Sequence, residues 1–489
     1  MTKILFVNPN KWGRGITTIW LASHIAISKS KNCKVKLFDC TFYKNWTDSE
    51  LVFNTENKQY KKTNYFEKVK FNDNDIYEDF QNEVNKFNPD LIFWSAFSAH
   101  IHGEGEYVNL QYGYELIQKT SHNALLITGG IQGTASIDYL FEAYPKIDLF
   151  ISGDSELVLK EVLENFDSNE TLINNKEKLK KIDGISYLSL NSKKPISNKR
   201  QKMISNLDEI PFYDYSEFDE KVFYRPYNGK VIKAIDYELS RGCIYSCSYC
   251  VETVIQKYYG FKKKTKNGAI LNSNKFLRSK SAQRIYDELS YYKLKYGIEL
   301  VRSQDTNFLT IDRKVLLELE RLILDKPLNL KIYIETRPEG INEKTVKILK
   351  NLGVDGVGMG IELSSDEFRE NNLNRFASQN KIINAFKILE KNHIKRTSYN
   401  IIGLPDQDEN SILDTIKFNK KLKPDNVTVA FFSPFLGTME EEKIHTQYKD
   451  IRNKKNLDPQ LRYISKNSKI SLEKLIFYKK NFTSMVFEN

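Results

Sequence analysis

Two stretches of this chain alternate short apolar runs with amphipathic ones, and that rhythm limits the fold more than any other feature. In residues 1–155, strands are expected at 4–7, 35–38, 91–95, 124–128 and 148–152, with helices near 17–28, 75–86, 107–119 and 137–143 between them. Such β-α alternation argues for a doubly wound parallel sheet with helices on both faces. Residues 41–73 are polar and without clear period, and read as an insertion. From 231 the rhythm resumes, with strands near 235–239, 299–303, 331–335, 356–362, 397–402 and 427–432 and helices near 282–294, 313–324, 343–351, 380–391 and 409–421. Six β-α units in a row predict a partial parallel barrel. The expected division is 1–156 as the first domain, 157–230 as a connector with a small hairpin, 231–440 as the barrel and 441–489 as a helical C-terminal extension.

Three of only five cysteines fall within the eight residues Cys243-Ile244-Tyr245-Ser246-Cys247-Ser248-Tyr249-Cys250. The apolar run ending in Leu239 precedes them, so they sit on a loop just after a strand. Thiolates spaced C-x3-C-x2-C can ligate three irons of a [4Fe–4S] cluster and leave the fourth iron open. Two plainer readings rank below this one. Buried packing is an odd use of cysteines at such density. Zinc wants a further ligand, and His24, His100, His102, His122, His393 and His445 show no paired metal spacing.

The remaining composition excludes more than it selects. With 489 residues, 40 % hydrophobic and 28 % charged, the chain is an ordinary globular one with room for several domains. It has no apolar run near the ~20 residues of a membrane span, and Met1–Val7 reads as a strand rather than a signal peptide. Unpaired cysteines and an exposed iron–sulfur loop suit a cytoplasmic protein. A net charge of +11 permits an anionic partner, but lysine is abundant throughout and the run Lys262-Lys263-Lys264-Thr265-Lys266 reads as a solvated loop. Nucleic acid is not expected as a partner.

The cysteine loop resembles the signature of the radical S-adenosylmethionine (radical SAM) superfamily, C-x3-C-x-aromatic-C, with Tyr249 at the aromatic position. The resemblance implies that the open iron binds the amino and carboxylate groups of S-adenosylmethionine. One electron from the cluster, delivered by a donor such as flavodoxin or ferredoxin, then cleaves the sulfonium to a 5′-deoxyadenosyl radical. Cys243, Cys247 and Cys250 are the implied metal ligands, and Tyr249 would lie near the adenine. Active sites of parallel barrels sit at the carboxyl ends of strands, which nominates Asp305, Glu335, Arg337, Glu362 and Asn400 as S-adenosylmethionine contacts. Gly360-Ile361-Glu362, Ile402-Gly403-Leu404-Pro405 and Pro434-Phe435-Leu436-Gly437-Thr438 also resemble segments of that superfamily.

Three loops of the first domain, standing ahead of this signature, are similar to those of cobalamin-binding domains. The D-x-H-x-x-G loop of that family is matched here by Asn8, Asn10 and Gly13, with Asn10 where the cobalt-ligating histidine would stand. Its S-x-L appears as Ser95-Ala96-Phe97 and its glycine pair as Gly129-Gly130; Gly153, in Ser152-Gly153-Asp154-Ser155-Glu156, resembles a closing loop. A cobalamin domain of flavodoxin-like strand order ahead of a radical SAM barrel implies methyl transfer from methylcobalamin to an unactivated carbon or phosphorus of a small molecule. Absence of the histidine agrees with the cobalamin-dependent radical SAM branch. The alternative is a radical oxidoreductase or cyclase without methyl transfer, or with a vestigial cobalamin domain. Methylthiotransfer to tRNA would need a second cluster on three N-terminal cysteines, where only Cys33 and Cys40 exist. A non-catalytic sensor would have no use for the S-adenosylmethionine pocket.

Overall fold

A computed structural model describes residues 1–13, 15–47, 55–56, 58–96, 103–433, 435–447 and 468–488. Its first sheet contains β1 (Lys3–Asn8), β2 (Lys34–Asp39), β3 (Leu91–Trp94), β4 (Leu125–Gly129), β5 (Leu149–Ile151), β6 (Ile185–Leu188) and β7 (Pro195–Ser197). The order is β2-β1-β3-β4-β5-β6-β7, parallel through β5. This is the flavodoxin-like order expected, and its switch point lies between β1 and β3. Apolar residues run on both faces because helices cover both. On β1, Ile4 and Phe6 pack with Leu21 and Ile25, whereas Leu5 and Val7 pack with Phe80 and Val84. The hairpin of the connector, β6 and β7, joins this sheet antiparallel to β5.

The second sheet contains β8 (Tyr224–Tyr227), β9 (Lys230–Tyr237), β12 (Leu300–Ser303), β13 (Lys331–Thr336), β14 (Val354–Glu362), β15 (Lys395–Ile402) and β16 (Asn426–Phe431). Between them, the short strands β10 (Ser240–Arg241) and β11 (Arg278–Ser279) form an antiparallel pair of their own. From β9 to β16 the six long strands are parallel and in chain order, the partial barrel expected; β8, not foreseen, adds antiparallel to β9. Side-chain caps set the starts of its helices. Asn342 and Thr345 form a reciprocal capping box, and Ser281, Ser378 and Asp408 each accept a first-turn backbone N–H. The inward face of β14 is Gly356, Gly358 and Gly360. A Cβ at Gly358 would stand 2.6 Å from the Tyr399 ring, so these glycines let tyrosines of β13 and β15 fill the lumen.

The 41–73 insertion reaches the open edge of this barrel. Gln59 accepts a hydrogen bond from the Val429 backbone N–H of edge strand β16 at 3.3 Å. The C-terminal helix Leu472–Phe487 packs Leu475, Tyr478 and Phe482 onto β16 and the helix before it. Among the described residues, no helix is long and apolar enough to cross a membrane.

Candidate active site

The cysteine loop hangs between β10 and β11, and its backbone is fixed from several sides. Gln256 donates to the carbonyls of Cys243 and Tyr245, both at 2.9 Å. Asn374 donates to the Ser246 carbonyl at 2.7 Å, and the Ser248 N–H donates to the Leu373 carbonyl at 3.0 Å. The lysine-rich segment is a hairpin bonded to the loop, with Ser246 N–H on Gly268 O at 2.9 Å and Ile270 N–H on Ile244 O at 2.7 Å; its lysines themselves are exposed.

Cys243 and Cys247 are buried and Cys250 half-buried. Burial raises the Cys243 thiol to about 12, helped by the nearby Glu252 carboxylate, and burial together with the neighbouring Cys247 raises Cys250 well above its ordinary value. Three thiolates here need a cationic centre to hold them. The described residues contain no group that closes on a single metal ion. Arginines supply the surrounding positive charge. Arg337 Nη1 donates to Cys247 Sγ at 3.2 Å and its guanidinium lies 3.7 Å from the Tyr245 ring centre, while Arg375 approaches the same sulfur at 3.9 Å.

The other expected contacts separate into two groups. Tyr249 and Glu362 meet: the Tyr249 hydroxyl donates to Glu362 Oε1 at 2.9 Å, and Arg375 stands 3.6 Å from the same oxygen. Glu362 holds this position at φ +66°, left-handed backbone in a non-glycine residue. Glu335 faces the lumen, where it accepts from Tyr399 at 3.1 Å. Asp305 and Asn400 do not join them. Asp305 is fully buried and accepts from Ser240 N–H at 2.6 Å, Leu239 N–H at 3.3 Å and the Ser303 hydroxyl at 2.6 Å, bracing the start of the cysteine loop. Asn400 turns its side chain to the outside of the barrel, where it bonds Ser398 at 3.0 Å and Asn419 at 2.8 Å; its neighbour Tyr399 takes the inward position. Arg375 and Arg302 complete the lumen and were missed in the sequence. Alternation along β12 marks Arg302 as inward, level with Tyr333; no local signal marks Arg375.

At the carboxyl edge of the first sheet, Asn8 donates to Asp39 at 3.0 Å and Asn10 to the Thr41 hydroxyl at 2.9 Å. Gly13 closes this turn at φ +62°, its N–H on Asn10 O at 3.0 Å. Ser95 (φ +56°) accepts at its carbonyl from Gly129 N–H at 2.8 Å, and its buried hydroxyl has no partner among the described residues. Gly130 follows at φ +123°. An orphaned hydroxyl beside bare glycine backbone fits a ligand laid on this edge. Phe97, His100 and His102 lie outside the described residues. Gly153 is placed elsewhere than expected: a Cβ there would meet the Tyr258 ring at 2.6 Å, so it packs against the barrel. Its neighbours Asp154 and Glu156 bind Arg241 and Arg278 across the domain boundary, with Glu156 2.5 Å from Arg241.

The two edges face one cavity of about 410 Å³, lined from the first domain by Gly13, Thr41 and Thr47 and from the barrel by Arg302, Glu335 and Glu362.

Residues 237–418 match the family described as the radical SAM superfamily. The chain is an enzyme whose barrel is similar to the radical SAM superfamily. It is 26 % identical over 365 residues to an uncharacterized methyltransferase of Pyrococcus horikoshii, covering 74 % of this chain and 71 % of that one. It is 22 % identical over 373 residues to the anaerobic magnesium-protoporphyrin IX monomethyl ester cyclase of Rubrivivax gelatinosus, covering 74 % and 60 %. Its fold is similar to that of the radical SAM methyltransferase TsrM from Kitasatospora setae, solved with cobalamin and a [4Fe–4S] cluster, at a TM-score of 0.64 and 15 % identity over 91 % of this chain and 78 % of that one.

Proposed function

We propose that this enzyme is a cobalamin-dependent radical SAM methyltransferase acting on a small molecule. The observation that carries this reading is the shared cavity, lined by the Gly13 turn and Thr41 at the first sheet's carboxyl edge and by Arg302, Glu335 and Glu362 of the barrel lumen. The fold common with TsrM, a methyltransferase solved with cobalamin, and the relative named a methyltransferase support it.

In this reading residues 1–156 carry cobalamin, 231–440 the cluster and S-adenosylmethionine, and 157–230 and 441–489 join and buttress them. When bound, the cluster and cobalamin supply one-electron cleavage of S-adenosylmethionine and a carrier for the methyl group. The protein supplies position and charge. Cys243, Cys247 and Cys250 hold the cluster. Arg337 offers a planar cation to the methionine carboxylate. Glu362, held by Tyr249 and Arg375, accepts from the ribose or the ammonium. Asn8, Asn10, Gly13, Ser95, Gly129 and Gly130 form the cobalamin edge, without an imidazole at Asn10. Flavodoxin or ferredoxin is the donor that a cytoplasmic setting would provide.

The test uses protein reconstituted anaerobically with iron, sulfide and cobalamin, then supplied with methyl-labelled S-adenosylmethionine, a reductant and a small-molecule extract. Labelled product accompanied by S-adenosylhomocysteine is expected. 5′-Deoxyadenosine without S-adenosylhomocysteine would instead favour radical chemistry without methyl transfer.

A further inference from the structure

Two opposite charges face the barrel lumen without touching. Arg302 on β12 is level with Tyr333 on β13, and Glu335 is the next inward residue of β13. Both line the cavity and both are half-buried. The Arg302 guanidinium makes no hydrogen bond or ion pair with any described residue. Glu335 accepts only from Tyr399 among them. Nearby Asp236 is already occupied by Arg225 at 3.2 Å, Thr17 at 2.7 Å and Gln304 at 2.9 Å. Burial works against the Glu335 carboxylate and raises it, with Arg302 pulling the other way.

A buried cation and anion usually close on each other. Here the strand positions leave both facing open cavity. A third group points to a ligand as well: the Gln59 side chain is buried against the cavity, and its Nε2 has no partner among the described residues. The walls around them are aromatic, with Tyr65 and Phe71 from the insertion and Tyr227, Tyr333 and Tyr399 from the barrel.

We propose that Arg302 and Glu335 hold the zwitterionic headgroup of an aromatic amino acid or a close derivative, carboxylate on Arg302 and Gln59, ammonium on Glu335. This rests on the reading of the cavity as the substrate site and names the substrate class. It moves Glu335 from the cofactor to the substrate. The headgroup of S-adenosylmethionine belongs at the cysteines. Arg337, which touches Cys247, is four residues beyond Tyr333, roughly 13 Å further along the strand. A substrate anchored at Arg302 would extend toward that level.

The experiment measures binding to the full-length, cluster-loaded protein by calorimetry, with no turnover required. The probes are L-phenylalanine, 3-phenylpropionate (no ammonium) and phenethylamine (no carboxylate). L-Phenylalanine should bind about tenfold more tightly than either. Arg302→Gln should bring it to the level of phenethylamine, and Glu335→Gln to the level of 3-phenylpropionate, while S-adenosylmethionine affinity holds in both. Equal binding of the three probes, or no binding of any at millimolar concentration, would overturn the proposal on the wild type alone, whatever the variants' folding. A loss confined to S-adenosylmethionine would overturn it too, by giving the pair to the cofactor. Failed methyl transfer with the expected probe ranking would count against the proposed reaction and leave this site standing.

Discussion

Arg337 points its guanidinium at the sulfur of Cys247, 3.2 Å away, with its flat face on Tyr245. The same side chain pairs with Glu339 at 2.5 Å, so its plane is set from two sides. Its planar donor fork suits a carboxylate arriving beside the cysteines. Arg337→Lys keeps the charge and loses the fork. It should retain iron loading and weaken S-adenosylmethionine binding by about tenfold, measured by calorimetry. Unchanged affinity would place the methionine carboxylate elsewhere.

Cys247→Ala should lower iron content and abolish reductive cleavage of S-adenosylmethionine. Cys40→Ala should leave iron unchanged, because Cys40 is fully buried in the first domain, away from the loop. Iron assay and Mössbauer spectra of both variants check this.

Much of this architecture was legible from period and spacing, since strands buried on both faces announce themselves as short apolar runs. Side-chain direction was harder to read. Asn400 has suitable chemistry at the end of β15, yet its parity turns it out of the barrel and gives the lumen to Tyr399. Asp305 has the right place in sequence, but three donors beside it consume its carboxylate. Arg241, with Asp154, Glu156 and Glu238, was invisible because its partners lie up to 87 residues away. No local pattern encodes such a pairing.

That cluster makes the next prediction. Arg241 stands 2.5 Å from Glu156, 2.6 Å from Glu238 and 3.5 Å from Asp154, all buried. Removing it leaves carboxylates uncompensated across the domain boundary. Arg241→Met should cost about 3–5 kcal/mol of stability, read by denaturant unfolding. A cost under about 1 kcal/mol would mean the cluster is not holding the domains together.

His24 adds a pH dependence. It is fully buried among Phe6, Trp20 and Phe93, its Nε2 2.8 Å from the Ser155 hydroxyl. Burial lowers its pKa from 6.5 to about 3, with Arg241 adding a smaller push. The folded state therefore binds fewer protons than the unfolded chain below pH 6.5. Stability from this group is complete above 6.5 and falls as pH drops toward 3, by about 1.4 kcal/mol per unit well inside that window. Carboxylates raised by burial, such as Asp39 at about 6, act with the opposite sign, so the raw pH profile mixes both. The difference between wild type and His24→Gln isolates the histidine. The variant should lose less stability than wild type between pH 6.5 and 5; parallel profiles would show that His24 takes its proton without unfolding.

The last prediction concerns the lower face of bound cobalamin. Asn10 stands where the resemblance would place an imidazole, and its amide donates to Thr41 at 2.9 Å, inside a network anchored on Asp39. Freeing it would break that network, and an amide is a poor cobalt ligand beside imidazole. Among the other described histidines, His24 is sealed in the core. Protein loaded with cob(II)alamin should therefore give an electron paramagnetic resonance spectrum without a protein nitrogen triplet. Asn10→His would place an imidazole in the turn closed by Gly13, and should introduce that triplet if the edge carries cobalamin as proposed. A triplet already present in the wild type and lost in His100→Ala or His102→Ala would refute the histidine-free reading. Failure of both wild type and Gly130→Val to bind cobalamin would remove the cofactor from the first domain; binding by the wild type alone would fix it there, since a side chain at φ +123° is strained and would crowd the ligand edge.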